Sequence, residues 1–250
     1  MKIPFRILAT VFAAATAIAA TNQVTVPGTA DVWLAGQSSG TVLQGIFTLS
    51  DSAPANSPVL ASTGLNLTPG SYLTFSATGS TNYNGCQSSN PDGTIPCGNF
   101  TTTAAGPYFG ISTYSGPINA VIGVFIGPNA PSGTAPSGLD FSTGSAQSQT
   151  TVSPQLNQVF FIGDGLTGTG NGAVQQFIVP AGATRLFLGS SDGAGANYDN
   201  SGSITVTVSD TGPASGTPSA PAASAPVLVA IGFLLILVSG YLLSGRPRRA

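Results

Sequence analysis

An all-β body, two sheets packed as a β-sandwich or jelly roll, is the fold class this sequence predicts, and three observations predict it. Charged residues make up only 6% of the chain, while Gly occupies 33 positions and Pro 19. Helices want Ala, Leu, Glu and Lys on their outer faces, whereas short strands joined by many turns suit Thr, Ser, Asn and Gly. Apolar and polar residues alternate in short runs such as Tyr72 to Ala77 and Ser203 to Val208, a period of two that turns one strand face inward. Turn signals rich in Pro and Gly separate these runs, and enough short strands result for two packed sheets.

The chain begins with a basic start, Lys2 and Arg6, an apolar run from Ile7 to Ile18 and a small-x-small site at Ala17-Ile18-Ala19. Residues 1–19 are therefore expected to be a secretory signal peptide, the run being too short to span a bilayer. Strands are predicted around Val24 and Val26, at Ala30, Val32 and Leu34, and from Thr41 to Leu49, with a loop over Asp51 to Pro58 because its prolines cannot serve a central strand. Gly64 to Pro69 and Tyr72 to Ala77 follow, the latter with Leu73, Phe75 and Ala77 on one face. Trp33 is most economically a core or sheet-edge residue; the alternative is an indole that stacks on a sugar.

Asn82 to Thr103 is polar and irregular and holds both cysteines, Cys86 and Cys97. Two Cys in an exported chain most simply form one disulfide, which would stabilise the fold by about 3 kcal/mol in the chain-entropy model. Pro107 to Ser112 is strand-like, and Ala120 to Ile126 is apolar enough to be buried on both faces. Gly127 to Gly144 is expected to be a long loop. Asn157 to Ile162 and Val174 to Val179 are strands around a turn at Gly163 to Gly172, and a Pro180-Ala181-Gly182-Ala183 turn leads into Thr184 to Gly189. Ser203 to Val208 closes the body, which covers residues 20–210.

Residues 211–226 are Pro, Ala, Ser, Gly and Thr, a composition that predicts a linker. Val227 to Leu243 is continuously apolar and precedes Arg246, Arg248 and Arg249, so residues 227–250 are expected to form one transmembrane helix with a cytoplasmic Arg cluster. Linker, short apolar helix and Arg cluster together resemble the C-terminal sorting signals of bacterial surface proteins, nearest the PEP-CTERM class. Ser224-Ala225-Pro226 stands where that class has Pro-Glu-Pro. The expected location is the cell surface, at the outer face of a bacterial membrane, with the C-terminus cytoplasmic if the tail is uncleaved.

Charge narrows the function. Every acid is Asp, and the chain has no Glu and no His; between the two apolar ends the only base is Arg185. An acidic body has no electrostatic footprint for phosphate backbones, so no nucleic-acid partner is expected. Catalysis near neutral pH usually draws on His, or on Glu or Lys with a shifted pKa. Ser-His-Asp chemistry and His-based zinc sites are excluded, and a non-enzyme is expected. Asp210-Thr211-Gly212 spells the aspartic-protease tripeptide, but a lone copy beside a Pro-rich linker is a strand-ending turn.

The stretch Asp192 to Val206, DGAGANYDNSGSITV, packs Asp192, Asp199 and Asn200 into a glycine-rich loop ahead of the last strand. Such a loop is either a hairpin turn, since these residues tolerate positive φ, or a holder for a hard cation such as Ca2+, which takes oxygen ligands from carboxylates, amides and carbonyls. Its spacing resembles the calcium loop of the PA-I galactophilic lectin family, and Ser71 to Gly85 resembles that family's earlier strand, turn and Tyr. The resemblance covers about Leu65 to Ser209 and implies a calcium site made of the Asp192, Asp199 and Asn200 side chains and the carbonyls of Tyr83 and Ala196. It also implies sugar contacts from Asn90, Pro91, Asp192 and Asp199, with Cys97 at the family's cysteine.

Several positions depart from that family. Asn90 and Gly93 replace a His and a Gln that help grip galactose, Ala196 replaces a Thr, and Asp199 replaces an Asn and adds negative charge. The metal half of the site therefore matches better than the sugar half. The expectation is an exported, surface-tethered, calcium-dependent carbohydrate-binding protein, its partner a galactose-like sugar or exopolysaccharide. The alternative is a structural envelope or matrix domain in which Ca2+ only stabilises a loop.

Overall fold

The computed structural model describes residues 19–45, 50–93 and 102–210. Residues 1–18 of the expected signal peptide, Ile46 to Leu49, Cys97, Thr211 and Gly212, and the expected linker, transmembrane helix and sorting signal lie outside the described residues. The described residues fall in one compact unit. Among the described residues no helix is long and apolar enough to cross a membrane.

The body is all-β. In chain order its strands are β1 (Thr21–Pro27), β2 (Val42–Gln44), β3 (Ser50–Ser52), β4 (Val59–Leu60), β5 (Tyr72–Asn82), β6 (Thr102–Ala105), β7 (Tyr114–Pro117) and β8 (Val121–Ile126). They continue with β9 (Leu139–Asp140), β10 (Thr151–Val152), β11 (Val159–Phe161), β12 (Leu166–Gly168), β13 (Asn171–Val174), β14 (Gln176–Ile178), β15 (Arg185–Ser190) and β16 (Ser201–Asp210). Among the described residues helix is confined to one α-turn, Gly144–Gln147, and 3-10 turns that include Val32–Leu34 and Asn197–Asp199.

One sheet has the order β1-β16-β5-β14-β10 and the other β11-β8-β15-β4, with three small sheets at the margins. The long antiparallel pair β5 and β16 runs from Leu73↔Asp210 to Asn82↔Ser201. Leu73, Phe75 and Ala77 are buried along β5 and Ile204, Val206 and Val208 along β16, so the alternation in sequence becomes one inward face on each strand. β8 is buried throughout, as a continuous apolar run predicts. Phe160 of β11 lies 5.7 Å from Phe177 of β14, and Phe177 meets Phe75 edge-on at 4.8 Å, which joins the inner faces of the two main sheets in one core. Burying each such side chain contributes about 1.5–3 kcal/mol.

Several expectations are corrected. Ala30 to Leu34 is not a strand, because Asp31 caps a 3-10 turn by accepting a hydrogen bond from the Trp33 N–H at 2.8 Å. Trp33 is fully buried and its Nε1–H donates to the Ser112 carbonyl at 2.9 Å, which leaves no face for a sugar. Asp51 is not in a loop: it lies in β3, paired with Leu43. Leu65 to Gly70 forms turn and coil rather than a strand, and Tyr108 to Ile111 closes a tight turn in which Phe109 and Gly110 both have positive φ. Gly163 to Gly172 holds most of the β12 and β13 hairpin, and β9 interrupts the expected 127–144 loop.

Candidate functional site

Four aspartates from four segments meet at one end of the sheets. Asp31 follows β1, Asp51 lies in β3, Asp192 follows β15, and Asp199 ends the 3-10 turn Asn197–Asp199 before β16. Each is positioned by backbone. The Asp31 N–H donates to the Asn56 carbonyl at 2.9 Å, and Asp192 Oδ1 accepts from the Gly193 N–H at 2.6 Å. Asp51 Oδ2 accepts from the Asn197 N–H at 3.0 Å, capping from 146 residues away a turn whose own first residue, Ala196, provides no side-chain cap.

The amides are tethered in the same way. Asn197 Nδ2 donates to the Ser190 carbonyl at 2.8 Å, and Asn200 Nδ2 donates to the Gly28 carbonyl at 3.1 Å, so each side chain is held by its nitrogen end. The loop that carries them lies against β2. Gly195 has φ +68, and a Cβ there would sit 2.8 Å from the Gly45 nitrogen; only glycine allows both the turn and the approach.

Six buried oxygens in this cluster have no hydrogen-bond donor: Asp31 Oδ2, Asp51 Oδ1, Asp192 Oδ2, Asn197 Oδ1, Asp199 Oδ1 and Asn200 Oδ1. Buried polar atoms are satisfied as a rule, so a set of acceptors left over in one place is a chemical feature. Burial pushes the Asp192 carboxyl up to about 7, and the charges of Asp199 and Asp51 add to the rise. Burial likewise holds Asp31 well above its usual range, with Asp51 beside it the next cause. Asp51 is also raised by burial, against the hydrogen bonds that reach it from Asp31, Asn197 and Tyr198.

No basic side chain offsets these charges. Arg185, the only base among the described residues, donates to the Gly127 and Asn129 carbonyls and lies over the Phe187 ring. Burying several carboxylates without a counter-charge costs several kcal/mol per ion, so the pocket must take up protons or a cation. Its donor set, carboxylates plus amide oxygens, is the chemistry of a hard divalent cation. Among the described residues no group of three or more Asp, Glu, His or Cys side chains forms a metal cluster. A cation here would therefore draw part of its coordination from amides and backbone carbonyls.

The sequence-predicted residues fall as follows. Asp192, Ala196, Asp199 and Asn200 share the loop, with Asp192, Ala196 and Asn200 buried and Asp199 partly so. Tyr83 is one residue past the Asn82↔Ser201 pair, a register that puts its backbone beside Asn200; its carbonyl also accepts from the Cys86 N–H at 2.9 Å. Cys86 is not a free thiol, and Cys97 lies outside the described residues.

Asn90 and Pro91 are tied to the same end through Ser89, which bridges Thr81 and accepts from Asn119 Nδ2, while Asn119 N–H donates to the Ser191 carbonyl. Pro91 is buried, however, and offers little surface to a sugar. Asp92 serves structure, its Oδ1 accepting from the Asp164 N–H at 2.8 Å, and burial raises its pKa. Gly93 has φ +67, and a Cβ there would lie 2.2 Å from the Ile118 carbonyl oxygen, so no Gln fits where the lectin family has one.

Sequence reasoning missed Asp31, Asp51, Asn197 and Tyr198. Tyr198 is the one aromatic among the exposed large hydrophobic residues, 46% exposed between Asn197 and Asp199. The available signal was the scarcity of acids: with only eight in the chain, two lone Asp residues inside apolar or proline-rich stretches were conspicuous. Compared with known proteins, the chain matches no family model and no curated sequence.

Proposed function

We propose that this protein is an exported, surface-tethered β-domain that binds Ca2+ at the Asp192–Asn200 loop and, through that ion, a carbohydrate, in the manner of the PA-I-like lectins. The observation that carries the reading is the set of buried, donor-free oxygens on Asp192, Asp199 and Asn200, with Tyr83 brought alongside by strand register and no base to neutralise them. Asp192, Asp199 and Asn200 would hold the ion with the Tyr83 and Ala196 carbonyls. A bound Ca2+ would supply Lewis-acid coordination to neighbouring sugar hydroxyls.

The chain's own residues do the rest. Gly28 and Gly193 fix Asn200 and Asp192 before any ligand arrives, so little ordering entropy remains to be lost on binding. Tyr198 presents an exposed ring next to Asp199 and suits stacking on the apolar face of a sugar, the role left open by the buried Pro91. Asn90, half-buried at the same end, is the candidate polar contact. A glycan array probed with the full chain in Ca2+ and again in chelator tests the reading: binding that vanishes in chelator and in Asp192→Ala is expected, and chelator-resistant binding would overturn it.

A second reading, a structural envelope or matrix domain that Ca2+ only rigidifies, is favoured by the buried Pro91, the structural Asp92 and the steric exclusion of Gln at position 93. Calcium that raises the melting temperature, with no further shift from any glycan, would select it.

A further inference from the structure

We infer that the acidic pocket is built for two cations, the second held by Asp31 and Asp51 with the Asn197 amide oxygen, behind the Asp192–Asn200 loop. This inference rests on the cation half of the proposed function and not on its carbohydrate half.

Three observations carry it. Asp31 and Asp51 are both fully buried, and each keeps one oxygen, Asp31 Oδ2 and Asp51 Oδ1, without a donor. Their other oxygens already accept from the Trp33 and Asn197 N–H groups, so the remaining oxygens are where either the proton of the Asp31–Asp51 hydrogen bond or a cation sits. The residue that binds Asp51 through its N–H, Asn197, has a buried Oδ1 with no donor while its Nδ2 is fixed to Ser190.

Charge and grouping agree with this division. The four aspartates lie within electrostatic reach of one another, Asp31 chiefly with Asp51 and Asp192 chiefly with Asp199; the Asn197 N–H reaches Asp51 and the Asn200 side chain reaches Asp192. Four carboxylates balance two divalent ions. A single ion at the outer loop would leave Asp31 and Asp51 buried and uncompensated, and a buried carboxylate pair without a counter-charge is costly.

The inner pair adds Asp51 of β3 to the tie that Asn200 already makes to the Gly28 carbonyl. Asp31 lies between β1 and the Trp33 turn, Asp51 in β3, and Asn197 before β16. An ion there would tie the N-terminal segment to the last hairpin.

The test is the stoichiometry of Ca2+ bound by the full chain in equilibrium dialysis, with Tb3+ luminescence as the local probe. Trp33 is the only tryptophan, and its N–H binds Asp31, so emission excited at the red edge of tryptophan absorption reports the inner position. The wild type is expected to bind two Ca2+ per chain. Asp51→Asn, close in shape and able to keep the cap on Asn197 through its amide oxygen, is expected to bind one and to lose Trp33-sensitised Tb3+ emission. Asp192→Asn is expected to lose the outer ion and keep that emission. One ion in the wild type, lost with Asp192→Asn but not with Asp51→Asn, would overturn the inner site and leave the proposed function standing. No bound Ca2+ at all would overturn both.

Discussion

Replacing Asp192 with Asn should reverse the sign of its effect on stability with the presence of calcium. Asp192 is 2% exposed, and its folded pKa of about 7 stands above the reference value of 3.8. Between these values the folded, metal-free protein binds a proton that the unfolded chain does not. Its stability therefore falls as pH rises from about 4 to about 7, and the loss is complete above that range. A difference of about three pKa units corresponds to about 4 kcal/mol.

Asn removes the charge and keeps an oxygen for the Gly193 N–H. In chelator at pH 8 the variant should thus be more stable than the wild type by up to about 4 kcal/mol, a rise in melting temperature of roughly 5 to 15 °C for a body of this size. At pH 5 the folded wild-type carboxyl is protonated while the unfolded one is already ionised, so the gain should shrink to less than half, about 1.6 kcal/mol. In saturating Ca2+ the order should invert once the wild type's gain of RT ln(1 + [L]/Kd), which the variant forfeits, exceeds that lead: about 4.1 kcal/mol is reached at a thousandfold excess over Kd, so the inversion at pH 8 is expected above it. Thermal melts at two pH values with and without Ca2+ measure all of this. Equal destabilisation of the variant under every condition would refute the reasoning and make Asp192 an ordinary structural residue.

Other expectations are more local. Tyr198→Ala should change stability by less than about 0.5 kcal/mol, as exposed substitutions do, yet weaken glycan binding in the array; unchanged binding would remove Tyr198 from the sugar site. Gly93→Gln, which restores the residue found in PA-I lectins, should destabilise by about 2 kcal/mol or more because its Cβ meets the Ile118 carbonyl and φ is positive, and it should not raise galactose binding. Trp33→Phe should cost about 2–4 kcal/mol in urea melts, from lost volume and the Ser112 carbonyl left without its donor, while an array signal that survives would agree with Trp33 lying in the core.

Much of the fold was legible in the residues. β5 and β16 carry an alternation that burial reproduces position by position, and β8 is an apolar run buried on both faces, so local pattern and tertiary environment agree. Where they disagree, a side chain has intervened. Ala30 to Leu34 alternates like a strand, but the Asp31 carboxylate caps the Trp33 N–H and winds the backbone into a turn. Asp51 stands ahead of two prolines and suggested a loop, yet the pairing of β2 with β3 turns it inward.

The outer half of the candidate site was legible because the residues proposed to hold a cation are neighbours in sequence, Asp192 to Asn200. The inner half was not, because Asp31 and Asp51 meet Asn197 only after strands distant in sequence have paired. Tyr83 is intermediate: a motif pointed to it, and it follows the last pair of β5 with β16, Asn82↔Ser201, in the chain.

The donor-free oxygens at this end of the sheets are expected to be cation ligands. Anomalous diffraction from crystals grown in Ca2+ tests this most directly. Strong peaks bounded by Asp192, Asp199 and Asn200, and by Asp31, Asp51 and Asn197, are the predicted result. A map without a peak in that pocket at saturating Ca2+, its carboxyls paired through shared protons instead, would contradict it.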